Sequence, residues 1–196
     1  MKLPTFWQLN LIPWYALAVY WLIGSLHMKR VKAAEKSADR ITTILFMVVA
    51  FLLLFSDFFR IGPLRLRFVS AMAWISWLGL CLTCLGVAIA VWARHCLGAQ
   101  WSARVTLKVD HQLIRSGPYA YVRHPIYSGM LLGVMGTALL VGEWRGVLAI
   151  ALVVIAHSRK ARREESMLAT EFGSTYAQYR QHTGFLFPRI SRDLPA

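Results

Sequence analysis

The stretch that decides the fold is "IYSGMLLGVMGTALLVGEWRGVLAIALVVIAH", residues 126–157, which consists of two apolar runs on either side of a short polar break. The first run covers 126–142 and the second covers 144–157, with the break inside "GEWRG". A membrane-spanning helix needs about 20 apolar residues, so the second run is short for a complete span. We therefore predict a tight helical hairpin whose second helix continues beyond the membrane as "SRKARREESMLATEF" and stops at Gly173.

The composition of the whole chain indicates a membrane protein. Of its 196 residues, 57% are hydrophobic and only 16% are charged, whereas soluble domains have about 25% charged residues. Three further apolar runs, each near the length of a span, precede the hairpin at 10–27, 41–59 and 69–93. We predict an all-α, polytopic fold with about five transmembrane helices in a single integral domain. This domain is made of three N-terminal spans in 1–93 and a second half in 94–196.

The net charge of +13 has a simpler source than nucleic-acid binding, because basic residues concentrate on the cytoplasmic loops of membrane proteins. In the five-span arrangement, 17 Lys and Arg residues fall on loops 28–40 and 94–125 and on the tail from 158, while five fall on the other side. This asymmetry places both polar stretches and the C-terminus in the cytoplasm and the N-terminus outside. We expect no nucleic-acid partner. We also expect no metal site, since the six histidines include no close pair at metal-ligand spacing.

The first polar cluster, "VDHQLIRSGPYAYVRHPIYSG" at 109–129, lies directly before the hairpin. Its Gly117-Pro118 pair predicts a turn, and Pro125 predicts the start of a helix with His124 at its N-terminus. Free N–H groups at such a terminus can bind an anionic group. An interfacial collar that anchors a span is the alternative interpretation. Anchoring, however, requires neither a histidine–proline order nor two turns.

The second polar cluster, "HSRKARREESMLATEFGSTYAQYRQHTGFLFPRI" at 157–190, follows the hairpin. Lys160 and Glu164 share one face of a helix, because residues four apart are neighbours on a helix surface. The basic run itself is typical of a surface that binds lipid headgroups. Glu164 and Glu165 have no anchoring role beside an anionic leaflet. We therefore predict that they pair with the arginines or bind a cationic or hydroxylated ligand.

The two clusters in this order resemble the isoprenylcysteine carboxyl methyltransferase and phospholipid methyltransferase family of integral membrane enzymes. The resemblance rests on "HQLIRSGPYAYVRHPIYSG" and "EESMLATEFGSTYAQYRQHTGFLFP", and it covers about residues 94–190. It implies that the C-terminal half binds S-adenosylmethionine on its cytoplasmic side. The cofactor-binding positions that it implies are His111, Gln112, Leu113, Ile114, Tyr119, His124, Pro125, Tyr127, Glu164 and Glu165.

The resemblance also implies a cation that contacts the substrate carboxylate. The family's arginine at this position falls on Lys160 by strict spacing, with Arg159 one residue away, so both are candidates. Arg123 is a third candidate, either orienting the acceptor or only anchoring the span. The acceptor is expected to be a lipophilic or prenylated molecule that enters from the bilayer. Membrane lipids are the other expected partners.

The leading functional hypothesis is methyl transfer from S-adenosylmethionine to the carboxylate of an isoprenylcysteine-like molecule. A carboxylate is already a nucleophile at neutral pH and needs a cation rather than a general base. N-methylation of a phosphatidylethanolamine-type phospholipid is the first alternative, since Glu164 or Glu165 suits an amine that must lose a proton. A sterol-reductase-like NADPH enzyme, whose family has a similar arginine-histidine-proline element, and a non-catalytic membrane module are further alternatives.

Overall fold

Five long helices form the body of the molecule in the part of the chain that the structure describes. This computed structural model describes residues 5–25, 31–34, 37–98, 101, 106–108 and 112–189. The helices are α1 (Phe6–Ser25), α2 (Ser37–Phe55), α3 (Ala73–Leu97), α4 (Pro125–Val141) and α5 (Trp144–His182), and two strands are β1 (Val31–Ala34) and β2 (Thr106–Lys108). Short 3-10 turns lie at Asp57–Phe59, Gly62–Arg65 and Gly117–Ala120.

The predicted all-α class holds for this helical body but omits a short two-stranded ribbon. Strands β1 and β2 pair antiparallel, with Val31 opposite Lys108 and Ala34 opposite Thr106. Strands of four and three residues are too short to show a period-two hydrophobic pattern, and their pairing is long-range. The ribbon joins the two loops that the distribution of basic residues assigns to the same side.

The observed ends of α2 and α3 differ by about one helical turn from the ends of the apolar runs in the sequence. Helix α2 ends at Phe55, four residues before the predicted 59, because the Ser56 side chain accepts a hydrogen bond from the Phe58 N–H at 3.2 Å and starts a 3-10 turn. Helix α3 covers Ala73–Leu97 rather than 69–93, and Gly98 at φ 51° ends it. Apolar composition marks where a helix can be buried, whereas capping residues set where it ends.

The predicted helical hairpin is present, formed by α4 and α5. Gly142 adopts a left-handed conformation with φ 64°, and its N–H donates to the Ala138 carbonyl at 2.8 Å, which ends α4. Two residues later α5 begins, and it continues far beyond the second apolar run. Gly173, predicted as the stop of this helix, is a kink with φ 51° and ψ −123° after which the chain resumes helical structure to His182.

Helices α3 and α4 touch through their backbones. A Cβ atom built on Gly86 would lie 2.4 Å from the Gly133 nitrogen, and one built on Gly136 would lie 2.4 Å from the Gly79 carbonyl oxygen. Both distances are far below van der Waals contact, so only glycine permits this approach. Small residues at helix interfaces allow this kind of packing inside membranes, where burial of apolar surface supplies little driving force.

Helix α1 is joined to this pair by buried hydrogen bonds. The Thr137 hydroxyl oxygen accepts from the Asn10 side-chain amide at 3.2 Å and from the Trp14 indole at 3.0 Å. Thr83 on α3 lies 3.4 Å from the same hydroxyl, and it donates to the Gly79 carbonyl at 3.0 Å. All these side chains are buried, so the bonds fix how α1 lies against α3 and α4.

Near the same end of the bundle, the hairpin turn binds the C-terminus of α2. Arg145 is buried and donates to the carbonyls of Leu53 at 3.0 Å and Ser56 at 2.8 Å, which lack helical partners at a helix end. Its Nε also donates to the buried Glu143 at 2.8 Å, and Glu143 accepts a second bond from Arg60 at 2.8 Å. The polar break of the hairpin therefore holds α2 in place.

By length and composition, α2 and α3 are able to cross a membrane, and α4 is apolar but shorter. Many large apolar side chains on these helices point away from the protein core, including Leu52 on α2 and Trp74 on α3, at 44% and 62% exposure. Such an outer surface suits a hydrocarbon surrounding. These features agree with the membrane character predicted from composition.

We expect Gly86→Val to destabilise the protein strongly, because the added side chain would force the backbones of α3 and α4 apart. Overpacking of this kind costs about 1–3 kcal/mol of unfolding free energy, and more where backbone must move. Thermal unfolding of detergent-purified protein, followed by tryptophan fluorescence, measures the change. Leu85→Val is the matched control, since Leu85 is 52% exposed, and it should alter the midpoint little. Equal midpoints for the two variants would contradict the close packing.

Candidate active site

The paired glutamates of α5 bind the loop that leads into α4. Glu165 accepts a hydrogen bond from Arg123 Nε at 2.6 Å and lies 3.2 Å from His124 Nε2. Glu164 accepts from the Tyr127 hydroxyl at 2.9 Å and lies 3.6 Å from His124 Nδ1. Of the two alternatives left open by the sequence, Glu165 therefore pairs with an arginine. That arginine belongs to the first polar cluster rather than to the basic run on α5.

The chain that follows α5 holds the same loop from the other side. The N–H of Arg123 donates to the Gly184 carbonyl at 2.9 Å, and the N–H of His124 donates to the Phe185 carbonyl at 3.3 Å. In return, Gly184 N–H donates to the Tyr121 carbonyl at 3.0 Å. The N–H of His124 is therefore already used and is not one of the free N–H groups that were expected to bind an anion at this helix start.

Aromatic rings continue the cluster inward. The His124 and Tyr127 rings stack with centroids 5.5 Å apart and planes 12° apart, and Tyr127 stacks in turn on His157 at 4.9 Å and 23°. The Lys160 ammonium lies 5.5 Å from the centroid of the Tyr127 ring. Tyr127 thus stands at the centre of a layer that contains two imidazoles and one cation.

The electrostatic coupling within the cluster is strong. Burial by itself lowers the pKa of His124, but hydrogen bonds to Glu164 and Glu165 outweigh it and raise that pKa above 6.5. Burial raises the pKa of Glu165, yet its hydrogen bonds with His124 and Arg123 bring it down to about 2. Burial also raises the pKa of Glu164, but its interactions with His124, Lys160 and Tyr127 together outweigh burial and lower that pKa. Both carboxylates are therefore ionised near neutral pH, and both favour the protonated form of His124.

A cavity of about 540 Å³ opens beside this cluster. Its volume lies in the range of small-molecule sites. One end is polar and carries side chains from the α4 N-terminus and from α5, namely Arg123, His124, Tyr127, His157, Lys160 and Glu164. An apolar arm of the cavity lies between α1 and α2, where it is lined by Trp14, Leu17, Ala18, Trp21, Ile44, Met47, Val48 and Phe51.

The apolar arm extends along α2 for about 10 Å, since Phe51 lies seven residues after Ile44 and each residue adds about 1.5 Å along a helix. Trp14 and Phe51 meet edge to face at its far end, with ring centroids 5.1 Å apart. The Trp14 indole is held there by its hydrogen bond to Thr137. The arm therefore ends at a fixed aromatic contact.

Most of the predicted site residues lie around this one cavity. The lining includes Gln112, Leu113, Ile114, Tyr119, Arg123, His124, Tyr127, Lys160 and Glu164. Pro125 is buried as the first residue of α4, Glu165 lies behind the lining in contact with His124, and Arg159 is exposed on α5 outside the lining. His111 lies outside the described residues.

Two contributions to the site were missed by the sequence analysis. His157 lines the cavity, and its spacing of three and seven residues from Lys160 and Glu164 could have placed it on their face of α5. The segment after the α5 helix, which binds Arg123 and His124 through backbone carbonyls, carries no sequence signal because any residue has a carbonyl group.

The lining fits S-adenosylmethionine, the cofactor implied by the resemblance. Glu164, with 36% of its side chain exposed, can accept hydrogen bonds from ammonium or hydroxyl groups of such a cofactor.

We expect the stability of the protein to fall as pH rises from 6 to 9. His124 has a raised pKa in the folded state, so its contribution is present below about 6.5 and is lost as pH passes its folded pKa. Unfolding midpoints measured across this window should fall for the wild type, while His124→Gln should flatten the decline. His182→Gln replaces an exposed ring elsewhere on α5, and this variant should keep the wild-type decline of the unfolding midpoint with pH. Persistence of the full slope in His124→Gln would contradict the assignment.

Comparisons with known proteins agree with this geometry. A model of the phospholipid methyltransferase family matches residues 74–175. Protein-S-isoprenylcysteine O-methyltransferase of Schizosaccharomyces pombe is 35% identical over 134 residues, which cover 67% of this chain and 56% of that protein. Cobalt-zinc-cadmium resistance protein CzcN of Cupriavidus metallidurans is 34% identical over 121 residues, covering 60% of this chain and 53% of that protein.

The fold is also similar to that of a solved structure, the eukaryotic intramembrane Ras methyltransferase ICMT (isoprenylcysteine carboxyl methyltransferase). The match has a TM-score of 0.55 and 28% sequence identity, and it covers 80% of this chain and 55% of that one. The chain thus spans about half the length of the relatives that it matches. Because the family match covers 102 of its 196 residues, including the hairpin and the paired glutamates, the chain belongs to the phospholipid methyltransferase family.

Proposed function

We propose that the protein is a membrane methyltransferase that transfers a methyl group from S-adenosylmethionine to the carboxylate of an isoprenylcysteine-like acceptor. The observation that carries this proposal is the single cavity that joins a charged, aromatic end to an apolar arm between α1 and α2. A lipophilic carboxylic acid has the same two-part character. The isoprenylcysteine methyltransferase relatives support the same acceptor class.

The polar end is assigned to the cofactor, which supplies an activated methyl group on a sulfonium when bound. Glu164 would accept hydrogen bonds from polar groups of the cofactor. Gln112, Leu113, Ile114 and Tyr119 line the neighbouring wall. His124 and Glu165 keep Glu164 and Tyr127 in position through the hydrogen-bonded cluster.

Lys160 is the cation assigned to the acceptor carboxylate. It lies in the cavity wall, whereas Arg159 is exposed outside it. Arg123 also reaches the wall, but its Nε and Nη1 donate to Glu165 and to backbone carbonyls, so its role is to position the cluster. The acceleration comes from holding the nucleophile in line with the methyl group and away from water, which in well-oriented systems is worth about 7–11 kcal/mol.

We infer that all five helices cross or enter the bilayer, with the C-terminal half and the site on the cytoplasmic side. Three observations support this topology. The basic residues divide 17 to five between alternate loops. Strands β1 and β2 join two of the basic loops at one end of the bundle. At the other end, the hairpin turn meets the segment after α2 through the Trp144 N–H and the Leu66 carbonyl.

Phospholipid N-methylation is the second candidate, because the matching family carries that description and Glu164 reaches the cavity. An amine acceptor must lose a proton before it attacks, so a carboxylate partner would help it. The position of Lys160 beside the same wall favours an anionic acceptor instead. The two candidates differ in the product that they form, an ester or a methylated amine.

We expect purified protein to transfer labelled methyl groups from S-adenosylmethionine to an S-prenylcysteine acid, and to do so faster than to phosphatidylethanolamine. In the same assay, Lys160→Gln should lower acceptor kcat/KM about tenfold or more, since it removes a charged contact. Arg159→Gln should alter it by less than about twofold, because this side chain lies outside the cavity.

Each other outcome points to a different function. Preferential methylation of the phospholipid would favour the second candidate. Binding of NADPH in place of S-adenosylhomocysteine would favour a reductase, and binding of neither would favour a non-catalytic module. If Arg159→Gln rather than Lys160→Gln abolished turnover, the substrate cation would be Arg159.

The topology predicts that cysteines placed at Arg115 and Thr175 report the same, cytoplasmic side, and that a cysteine at Arg65 reports the other. All three positions are exposed. A membrane-impermeant maleimide applied to intact cells, in a background that lacks Cys81, Cys84 and Cys96, should label only the Arg65 position. Opposite labelling of the Arg115 and Thr175 positions would overturn the five-span arrangement.

A further inference from the structure

The apolar arm of the cavity ends at three aromatic rings, which together form an aromatic floor. Trp14 on α1 meets Phe51 and Phe55 on α2 edge to face, with ring centroids 5.1 and 6.4 Å apart. The two phenylalanine rings stack on each other at 5.6 Å. Aromatic pairs at these separations attract one another. The floor therefore joins the two helices that form the walls of the arm.

The floor is also supported from behind by α4. The Trp14 indole donates to the Thr137 hydroxyl at 3.0 Å, and a Cβ atom built on Gly133 would lie 3.2 Å from the Trp14 ring. The ring thus rests against the backbone of α4, and it is only 8% exposed. Moving it would break a buried hydrogen bond, which costs free energy. A ligand in the arm therefore meets a rigid end.

The other end of the arm lies at the level of Lys160. The guanidinium of Arg163, one turn after Lys160 on α5, lies 3.5 Å from the Thr43 hydroxyl on α2. At the start of α5, Arg145 binds the Leu53 carbonyl near the end of α2. The two helices therefore run antiparallel, side by side. In the proposed function, an acceptor whose carboxylate is bound by Lys160 has its apolar chain directed along α2 toward the floor.

The length of the arm limits the chain that it can hold. From Ile44 to Phe51 the arm is about 10 Å long, at about 1.5 Å per helical residue. An isoprene unit adds four carbon–carbon bonds of about 1.5 Å each, which extend an open chain by about 5 Å. Two such units therefore span the distance from the level of Lys160 to the aromatic floor.

We propose that the aromatic floor sets the length of the acceptor chain, and that the preferred acceptor is a cysteine carboxylate with two isoprene units. This inference rests on the proposed function and names the substrate within its class. A single unit leaves half of the arm unfilled and loses packing contacts. A third unit must bend out past Val48, which is 48% exposed, or lift the carboxylate out of line with the methyl donor.

The test measures kcat/KM for N-acetyl-S-prenylcysteine acids with one, two or three isoprene units. The full-length protein is assayed in detergent with saturating S-adenosylmethionine, and acceptor concentrations are expressed as mole fractions in the micelle. The wild type should prefer two units to three by about tenfold or more. Phe51→Ala removes a ring that closes the arm, so the three-unit to two-unit ratio should rise about tenfold. Each ratio is measured on one preparation, so the fraction of folded protein cancels.

Ala18→Phe tests the same idea in the opposite direction. Ala18 lines the arm one turn after Trp14 on α1, and it is exposed, so a ring there does not enter the core. One helical turn is about 5 Å, so the new ring shortens the arm by about one isoprene unit. The one-unit to two-unit ratio should therefore rise about tenfold.

Leu52→Ala and Ala16→Phe are the matched controls, since both positions are exposed and lie outside the lining of the cavity. Each should leave both ratios unchanged. A wild-type preference for one or three units over two would overturn the inference while the proposed function stands. So would a ratio that Phe51→Ala or Ala18→Phe leaves at its wild-type value. If the wild type methylated none of the prenylcysteine acids, the proposed function would fail and this inference with it.

Discussion

Two adjacent carboxylates on α5 bind the loop before α4, and the architecture of the site depends on these bonds. Glu165 holds Arg123 and His124, while Glu164 holds Tyr127 and approaches the other nitrogen of the same imidazole. Adjacent residues on a helix point in different directions, so the pair reaches both sides of His124. Charge-assisted hydrogen bonds between partly buried groups are stronger than neutral ones. They set the orientation of the Tyr127 ring, against which His157 and Lys160 lie.

The position of α4 itself depends on a different constraint, the direct backbone contact with α3. Glycine at Gly86 and Gly133 allows the two helices to approach until no side chain fits between them. This rigid pair supports α1 through the hydroxyl of Thr137, and α1 then forms one wall of the apolar arm. Helix α2 forms the opposite wall, where Arg145 binds its C-terminal carbonyls. The shape of the cavity thus follows from contacts that lie outside it.

The cavity separates two kinds of chemistry along its length. Its polar end contains ionised carboxylates, a cation and stacked aromatic rings, and its apolar arm ends at the contact between Trp14 and Phe51. In the proposed function, a lipophilic acceptor that filled the arm would have its polar head at the polar end, where Lys160 lies. Its own apolar chain would then orient the nucleophile toward the methyl donor.

The sequence alone determined the helical class, the hairpin and the start of α4 at Pro125, because apolar runs, prolines and glycines act locally along the chain. The cofactor positions that line the cavity were implied by the family resemblance rather than by local patterns. The sequence also placed Lys160 and Glu164 on a common face of α5, since helical spacing relates residues near one another in sequence. Only the tertiary structure decided that Arg123 pairs with Glu165, that Lys160 rather than Arg159 reaches the cavity, and that carbonyls after α5 bind the His124 loop. The tertiary structure alone likewise decided that β1 pairs with β2 and that His157 is buried. These features join segments that are distant in sequence or depend on the rotation of a helix against its neighbours, and no local pattern specifies either.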